Sequence, residues 1–444
     1  MNTKKVVVLN VAALSPQYCD DTEAMPCLSA LRGRGVLHRI KPVFPAVTLP
    51  AQASMTTGLY PARHGIIANG GYSRQIHQVS FWEQAAGLVE GERIWTKLKR
   101  ARPELTTALL FMQNSLYADS DIVITPKPFH TDQGMVQWCY SKPVGLYEEL
   151  CQRNGPFNLM HYWGPMASIE STRWIAGAAV ETIQRFAPDL MFVYLPHLDY
   201  CLQKFGPDDP GLGQQLRAVD EQIGRIVSAV DSGGWRDETV FIVVSEYCIQ
   251  AVSKDVAINR ILRDNGLLQV RVINGREYLD CELSQAFAMV DHQVAHVYVK
   301  EGWVEKVRTV LETIEGVDYV FRPTGENAFR VGHPAAGDLV AVSARDRWFS
   351  YYWWHEKSRE PDFAPHVDIH RKPGYDPLEL FLEPGTRAIS QDTRLIRGSH
   401  GYPALADTDC VPLLISGAGA DQLSAIPNGS DLTILPSLVE KLLL

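Results

Sequence analysis

Residues 190–200 read LMFVYLPHLDY: six apolar residues, then Pro196, and Asp199 three positions later. An unbroken run of this kind, rich in β-branched and aromatic members and without polar alternation, marks a strand buried on both faces. Two other runs share the character, KKVVVLNV at 4–11 and TVFIVVS at 239–245. Residues 168–186 and 211–230 carry apolar side chains at helical spacing, the first opening on Ser and Glu and the second ending near Gly233 and Gly234. Strand and helix in this order predict an α/β fold, a central sheet flanked by helices with right-handed crossovers. In such sheets ligand-binding residues lie just past the C-terminal ends of strands. Asn10, Asp199 and Glu246 hold such places, and all three are polar.

Outward from these strands, residues 43–70 read VFPAVTLPAQASMTTGLYPARHGIIANG. Pro45 and Pro50 bracket Thr48, which places the hydroxyl on an extended segment turning into a helix, where backbone N–H groups and the helix dipole favour an anion. Gly58 stops that helix, and Pro61, His64 and Gly65 turn the chain back toward Asn69, whose amide can serve the same oxyanion. A Thr that merely caps a buried helix is the plain alternative.

At these residues the chain resembles the nucleotide pyrophosphatase/phosphodiesterase branch of the alkaline phosphatase superfamily. Phe44, Pro45, Thr48 and Pro50 match its nucleophile element, and Thr57, Gly58, Tyr60, Pro61, His64, Gly65, Ile66 and Asn69 match the segment that follows. The resemblance implies Thr48 as nucleophile and Asn69 as stabiliser of the phosphoryl oxygens. It also implies two zinc ions: one held by Asn10, Thr48 and the Glu246-Tyr247 pair, the other by Asp199, Gln203 and His400. Asn10, Gln203, Glu246 and Tyr247 stand where the family has Asp, His, Asp and His. The shift toward neutral oxygens favours magnesium or manganese over zinc, and one ion over two. His197, His292, His370 and Lys372, with Asp368 and Arg371, are the groups that could compensate or bind substrate.

Composition narrows the class. The net charge of −9 argues against a nucleic-acid polymer as partner and suits a small phosphorylated substrate near a local cation. Eight scattered cysteines without a C-x-x-C pair fit reduced thiols and a cytoplasmic setting. The apolar N-terminal run, interrupted by Asn10, reads as a strand and not a signal peptide, and no stretch reaches the roughly 18 apolar residues of a membrane span.

Residues 1–253 and 393–444 are expected to form the catalytic core, with 254–392 as an inserted α+β cap. Within the cap, Trp348, Phe349, Tyr351, Tyr352, Trp353 and Trp354 suit a stacking pocket, a subdomain core or a homo-oligomer contact. The function these features point to is a metal-dependent phosphoryl-transfer hydrolase acting on a phosphodiester or pyrophosphate, with a phosphomonoester in range. Two alternatives stand beside it: a non-catalytic phospho-ligand-binding protein on the same fold, and a phosphoryl transferase to an organic acceptor.

Overall fold

The computed structural model describes residues 4–324, 329–423 and 425–444. The three apolar runs become neighbouring parallel strands, with Lys5–Val11 between Leu190–Leu195 and Thr239–Val244. Val6, Val7, Val8 and Leu9 are all buried, so both faces of the central strand are covered and the sequence has no reason to alternate. Thr107–Leu110 and Ile122–Pro126 continue the parallel array, and Cys139–Lys142 closes that side antiparallel. On the other side Val411–Gly417 runs antiparallel to Thr239–Val244, and Gly35–Ile40 pairs with its free edge. The sheet is therefore eight-stranded and mixed. Helices Ile169–Phe186 and Leu212–Ser232 pack against each other, and Leu435–Leu443 packs on the first strand.

A second apolar core lies mainly within 252–396. Its centre is a four-stranded antiparallel sheet in the order Ala286–Asp291, Val294–Val299, Leu339–Ser343, Val317–Phe321. Two helices pack there, Ile258–Asp264 and Val304–Glu312. The aromatic run resolves as core: Trp348, Phe349, Tyr351 and Trp353 are fully buried, and the Trp353 indole donates to the Glu277 carbonyl at 3.1 Å. Phe44, Ile67, Ala68 and Phe81 belong to this second core, which packs directly against the segment carrying Thr48 and Asn69. Among the described residues no helix is long and apolar enough to cross a membrane, and all eight cysteines are free thiols.

Candidate active site

Strand register assembles the site. Asn10 lies opposite Tyr194 on one side and Val244 on the other, so Asn10, the corner at Pro196 and Glu246 emerge from one end of the sheet. The helix His197–Phe205 begins at that corner and buries Asp199 and Gln203, four residues apart, on one face. Val47 is extended and Thr48 opens the helix Thr48–Thr57, which ends at Gly58 with φ 74°, a left-handed position that suits glycine. His400 follows the short strand Gly398–Ser399 back into the same place.

The hydroxyl of Thr48 lies 3.1 Å from the Tyr247 hydroxyl, which lies 3.1 Å from Asp199 Oδ1. A phenol has one proton, and a carboxylate only accepts. With Tyr247 donating to Asp199, the Thr48 proton is directed at Tyr247 Oη. Gln203 Nε2 donates to Asp199 Oδ2 at 2.8 Å, and Gln203 Oε1 accepts from the Tyr375 hydroxyl at 2.8 Å. Glu246 Oε1 accepts from Asn10 Nδ2 at 2.7 Å and from Gln52 Nε2, while Glu246 Oε2 and Asn10 Oδ1 have no hydrogen-bond partner. Asn69 is held on three sides: its Oδ1 accepts the Leu49 N–H at 2.9 Å, and its N–H and Nδ2 donate to Asp291 at 2.7 and 3.0 Å. The helix start is thus less open than its sequence suggests, because Asn69 itself takes the Leu49 N–H.

His400 Nδ1 sits 2.7 Å from the Ala46 carbonyl, which can only accept, so Nδ1 carries the hydrogen and Nε2 faces Asp199 Oδ1 at 3.6 Å. Tyr247 lies flat on the His400 ring, with centroids 3.6 Å apart and planes within 5°. His292 also packs on His400, with centroids 3.7 Å apart and planes tilted by 35°, and stacks on Tyr375 at 3.8 Å.

Burial sets the charges. It raises Asp199 to about 7, Glu246 to about 8 and Asp291 to about 7, against the hydrogen bonds from Tyr247, Asn10 and Asn69 that favour ionisation. It also pulls His400 down to about 3 and His292 well below the ordinary imidazole range, so both rings are neutral. Between the unfolded and folded values of the three carboxyls the native state binds more protons, so these groups make stability fall as pH rises toward 8. The buried imidazoles act oppositely, and only below about 6.5, where the unfolded rings gain protons. Chemical denaturation at pH 6.5, 7.5 and 8.5 should show stability falling, with each carboxyl contributing at most ~1.4 kcal/mol per pH unit. Constant or rising stability across that range would mean that a cation or another charge keeps these carboxylates ionised.

The remaining expected residues divide. His292 joins the site through its ring contacts. His197 is buried but pairs with Gln215 at 2.8 Å, outside the Thr48 network. His370 is exposed and reaches the Phe81 carbonyl at 3.3 Å. Lys372 is not a free surface cation: it is 1 % exposed, with Nζ 2.8 Å from Asp376 and 2.7 Å from Glu379. Arg371 is committed to Asp362 and Asp368. Lys372 borders a void of only about 10 Å³, room for no more than a single water, walled by Phe81, Trp82, Trp163 and Tyr375. Gln52, Asp291 and Tyr375 are site residues the sequence reading missed. Gln52 stands one helical turn after Thr48, a spacing that marks a shared face; Asp291 and Tyr375 carry no such signal.

The set does not fit a two-zinc centre. At the second position Asp199 and His400 keep a ligand-like posture, but Gln203 turns its N–H toward Asp199 and spends its carbonyl on Tyr375, leaving two protein ligands where zinc takes three or four. At the first position one carboxylate faces a neutral amide. Among the described residues no three His, Cys, Asp or Glu side chains converge.

The family model described as type I phosphodiesterase / nucleotide pyrophosphatase matches residues 6–376. The chain belongs to this family. It is 21% identical over 272 residues to an uncharacterized pyrophosphatase/phosphodiesterase of Schizosaccharomyces pombe, covering 57% of this chain and 45% of that protein. It is 24% identical over 267 residues to the Bos taurus bis(5'-adenosyl)-triphosphatase ENPP4, covering 57% and 49%. The chain thus spans less than half the length of these curated relatives. Among solved structures, murine ENPP5 superposes with TM-score 0.61 at 17% identity, covering 99% of this chain and 95% of that one. Phosphonoacetate hydrolase from Sinorhizobium meliloti 1021 superposes with TM-score 0.65 at 15% identity, covering 100% and 96%. The fold is that of the alkaline phosphatase superfamily.

Proposed function

We propose that this chain is a phosphoryl hydrolase of the phosphodiesterase or pyrophosphatase type, acting on a small phosphorylated substrate with Thr48 as nucleophile. The observation that carries the reading is the 3.1 Å contact of the Thr48 hydroxyl with Tyr247 Oη, itself 3.1 Å from Asp199 Oδ1: with Asp199 ionised, Tyr247 donates to it and the Thr48 proton has an acceptor in Tyr247 Oη. Attack on phosphorus forms a phosphothreonine and expels the leaving group, and water then cleaves the intermediate. As the Thr48 oxygen bonds to phosphorus its proton passes to Tyr247 Oη, while the Tyr247 proton passes to Asp199 Oδ1. Asn69 has a second Nδ2 hydrogen to offer a phosphoryl oxygen, and Asp291 keeps it oriented. An inactive threonine-to-alanine variant of murine ENPP5 has been solved in complex with AMP, which supports a nucleotide as the substrate class. Eight free thiols suit a cytoplasmic setting.

Metals are generally required in this family, and only the first position here keeps oxygens without partners, Asn10 Oδ1 and Glu246 Oε2. That pair suits one oxygen-preferring ion such as magnesium or manganese better than zinc. Dialysed protein should hold fewer than two equivalents of zinc by elemental analysis. Adding Gln203→His and Tyr247→His beside Asp199 and His400 should raise zinc affinity about tenfold or more, ~1.4 kcal/mol. An unchanged affinity would refute the assignment of these positions.

A second reading, a phospho-ligand-binding protein without turnover, is favoured by the burial of Thr48 to 4 % exposure beneath Tyr247. Incubation with an activated aryl phosphodiester and a dinucleoside polyphosphate, followed by acid quench and mass spectrometry, decides between the two. Turnover with phosphate on Thr48 is the expected result. Calorimetric binding of AMP with neither turnover nor labelling would establish the second reading.

A further inference from the structure

We infer that the family's second cation position has become, in this chain, a metal-free joint that fastens the insertion to the core. Its members come from both sides. Tyr247, His400, Asp199 and Gln203 belong to the core, whereas His292 and Tyr375 belong to the insertion. The four rings follow one another in the order Tyr247, His400, His292, Tyr375, with centroid separations of 3.6, 3.7 and 3.8 Å; the outer two pairs are stacked and the central His400–His292 pair is tilted by 35°. The two outer rings are phenols, and their hydroxyls are linked by Tyr247–Asp199–Gln203–Tyr375 hydrogen bonds of 3.1, 2.8 and 2.8 Å. The ring contacts and the chain of hydrogen bonds therefore close on each other, and every member is buried.

The two departures from the family pattern acquire a reason in this arrangement. A side chain between Asp199 and Tyr375 must donate at one end and accept at the other, and an amide does both with a single group. A neutral imidazole at 203 would offer one donor and one acceptor only in a fixed 1,3 geometry on a shorter, rigid ring. At 247 the group must accept from Thr48, donate to Asp199 and cover His400, which a phenol accomplishes and an imidazole does not reach to do. An N–H and an O–H directed at the two oxygens of Asp199 supply the electrostatic partner that a cation supplies elsewhere.

The backbone reinforces the contact. The Gln293 N–H donates to the His400 carbonyl at 2.9 Å, and within the insertion the N–H groups of Phe349 and Tyr375 donate to the carbonyls of His292 and Val290 at 2.8 and 2.9 Å. The backbone of the second core thus holds His292 and Tyr375 against each other where they meet His400. Asp291, next to His292, fixes Asn69, so the same contact sets the position of the candidate oxyanion donor. The joint exists whatever Thr48 attacks.

Urea unfolding of the full chain tests this with Tyr247→Phe, Tyr375→Phe and the double variant, each of which keeps its ring. Each single change should lower the unfolding midpoint. The double should cost less than the sum of the two, because both hydroxyls act through one Asp199–Gln203 link. Tyr375→Phe should also speed tryptic cleavage at Arg271 and Arg276, in the hairpin Val270–Leu279 of the insertion. Strictly additive losses, midpoints equal to the wild type, or a second equivalent of zinc that binds the wild type and raises its midpoint would each overturn the inference.

Discussion

Thr48→Ala is expected to remove turnover on an activated phosphodiester, lowering kcat on the order of 10³-fold or more while the protein stays folded. The loss in rate follows from removing the attacking oxygen, for which the site offers no substitute: Tyr247 Oη is engaged with Asp199, and Asn69 is an amide. The stability cost is small because the hydroxyl makes one hydrogen bond at the mouth of the Tyr247 contact, worth about 1 kcal/mol. Thr48→Ser keeps the oxygen and should keep part of the rate. The measurement pairs kcat with the urea midpoint. Near-normal turnover in Thr48→Ala with an unchanged midpoint would remove Thr48 from the reaction.

The second large effect is on stability. Lys372→Met should destabilise the protein by about 3–5 kcal/mol, because it leaves two buried carboxylates without their cation. Burial alone would pull the Lys372 ammonium down, but Asp376 and Glu379 more than offset it and hold the group above its ordinary value. Glu379 is itself raised, first by burial and then by Asp376, against the pull of Lys372. One cation thus faces two acids, and the Trp163 indole and the Asp368 N–H complete the coordination of Glu379. Adding Glu379→Gln to Lys372→Met should recover part of the loss. A Lys372→Met variant as stable as the wild type, with only its Michaelis constant raised, would return Lys372 to the role of a substrate contact.

The long strands were legible because burial on both faces writes itself as continuous apolar sequence, as at Val6–Leu9 and Leu190–Leu195. Thr107–Leu110, Ile122–Pro126 and Cys139–Lys142 were not, because four or five residues give too short a run to separate from a helix interior. Strand ends and motif spacing pointed to Thr48, Asn69, Asp199, Glu246 and His400, which the fold places at one end of the sheet. The sequence was silent on how they would bond. Gln203 can present either end of its amide, and only the packing of Tyr375 decides that its N–H meets Asp199. For the same reason a count of Trp and Tyr at 348–354 cannot tell a pocket from a core, whereas the hairpin carbonyl that receives the Trp353 indole can.

Gly35–Ile40 has a single partner in the sheet, Val411–Gly417, and some 370 residues separate the two. During synthesis, then, an early-made strand waits with both edges unpaired while the central strands and the whole insertion emerge, and it can be captured only when residues 411–417 arrive. Thr239–Val244, on the far side of the same gap, waits with one open edge. Closing so distant a pair is slow, and exposed strand edges invite pairing with other chains in the meantime. Refolding yield should accordingly fall with protein concentration, and a peptide carrying the 411–417 strand should act on the nascent chain as a competitor for the gap it leaves.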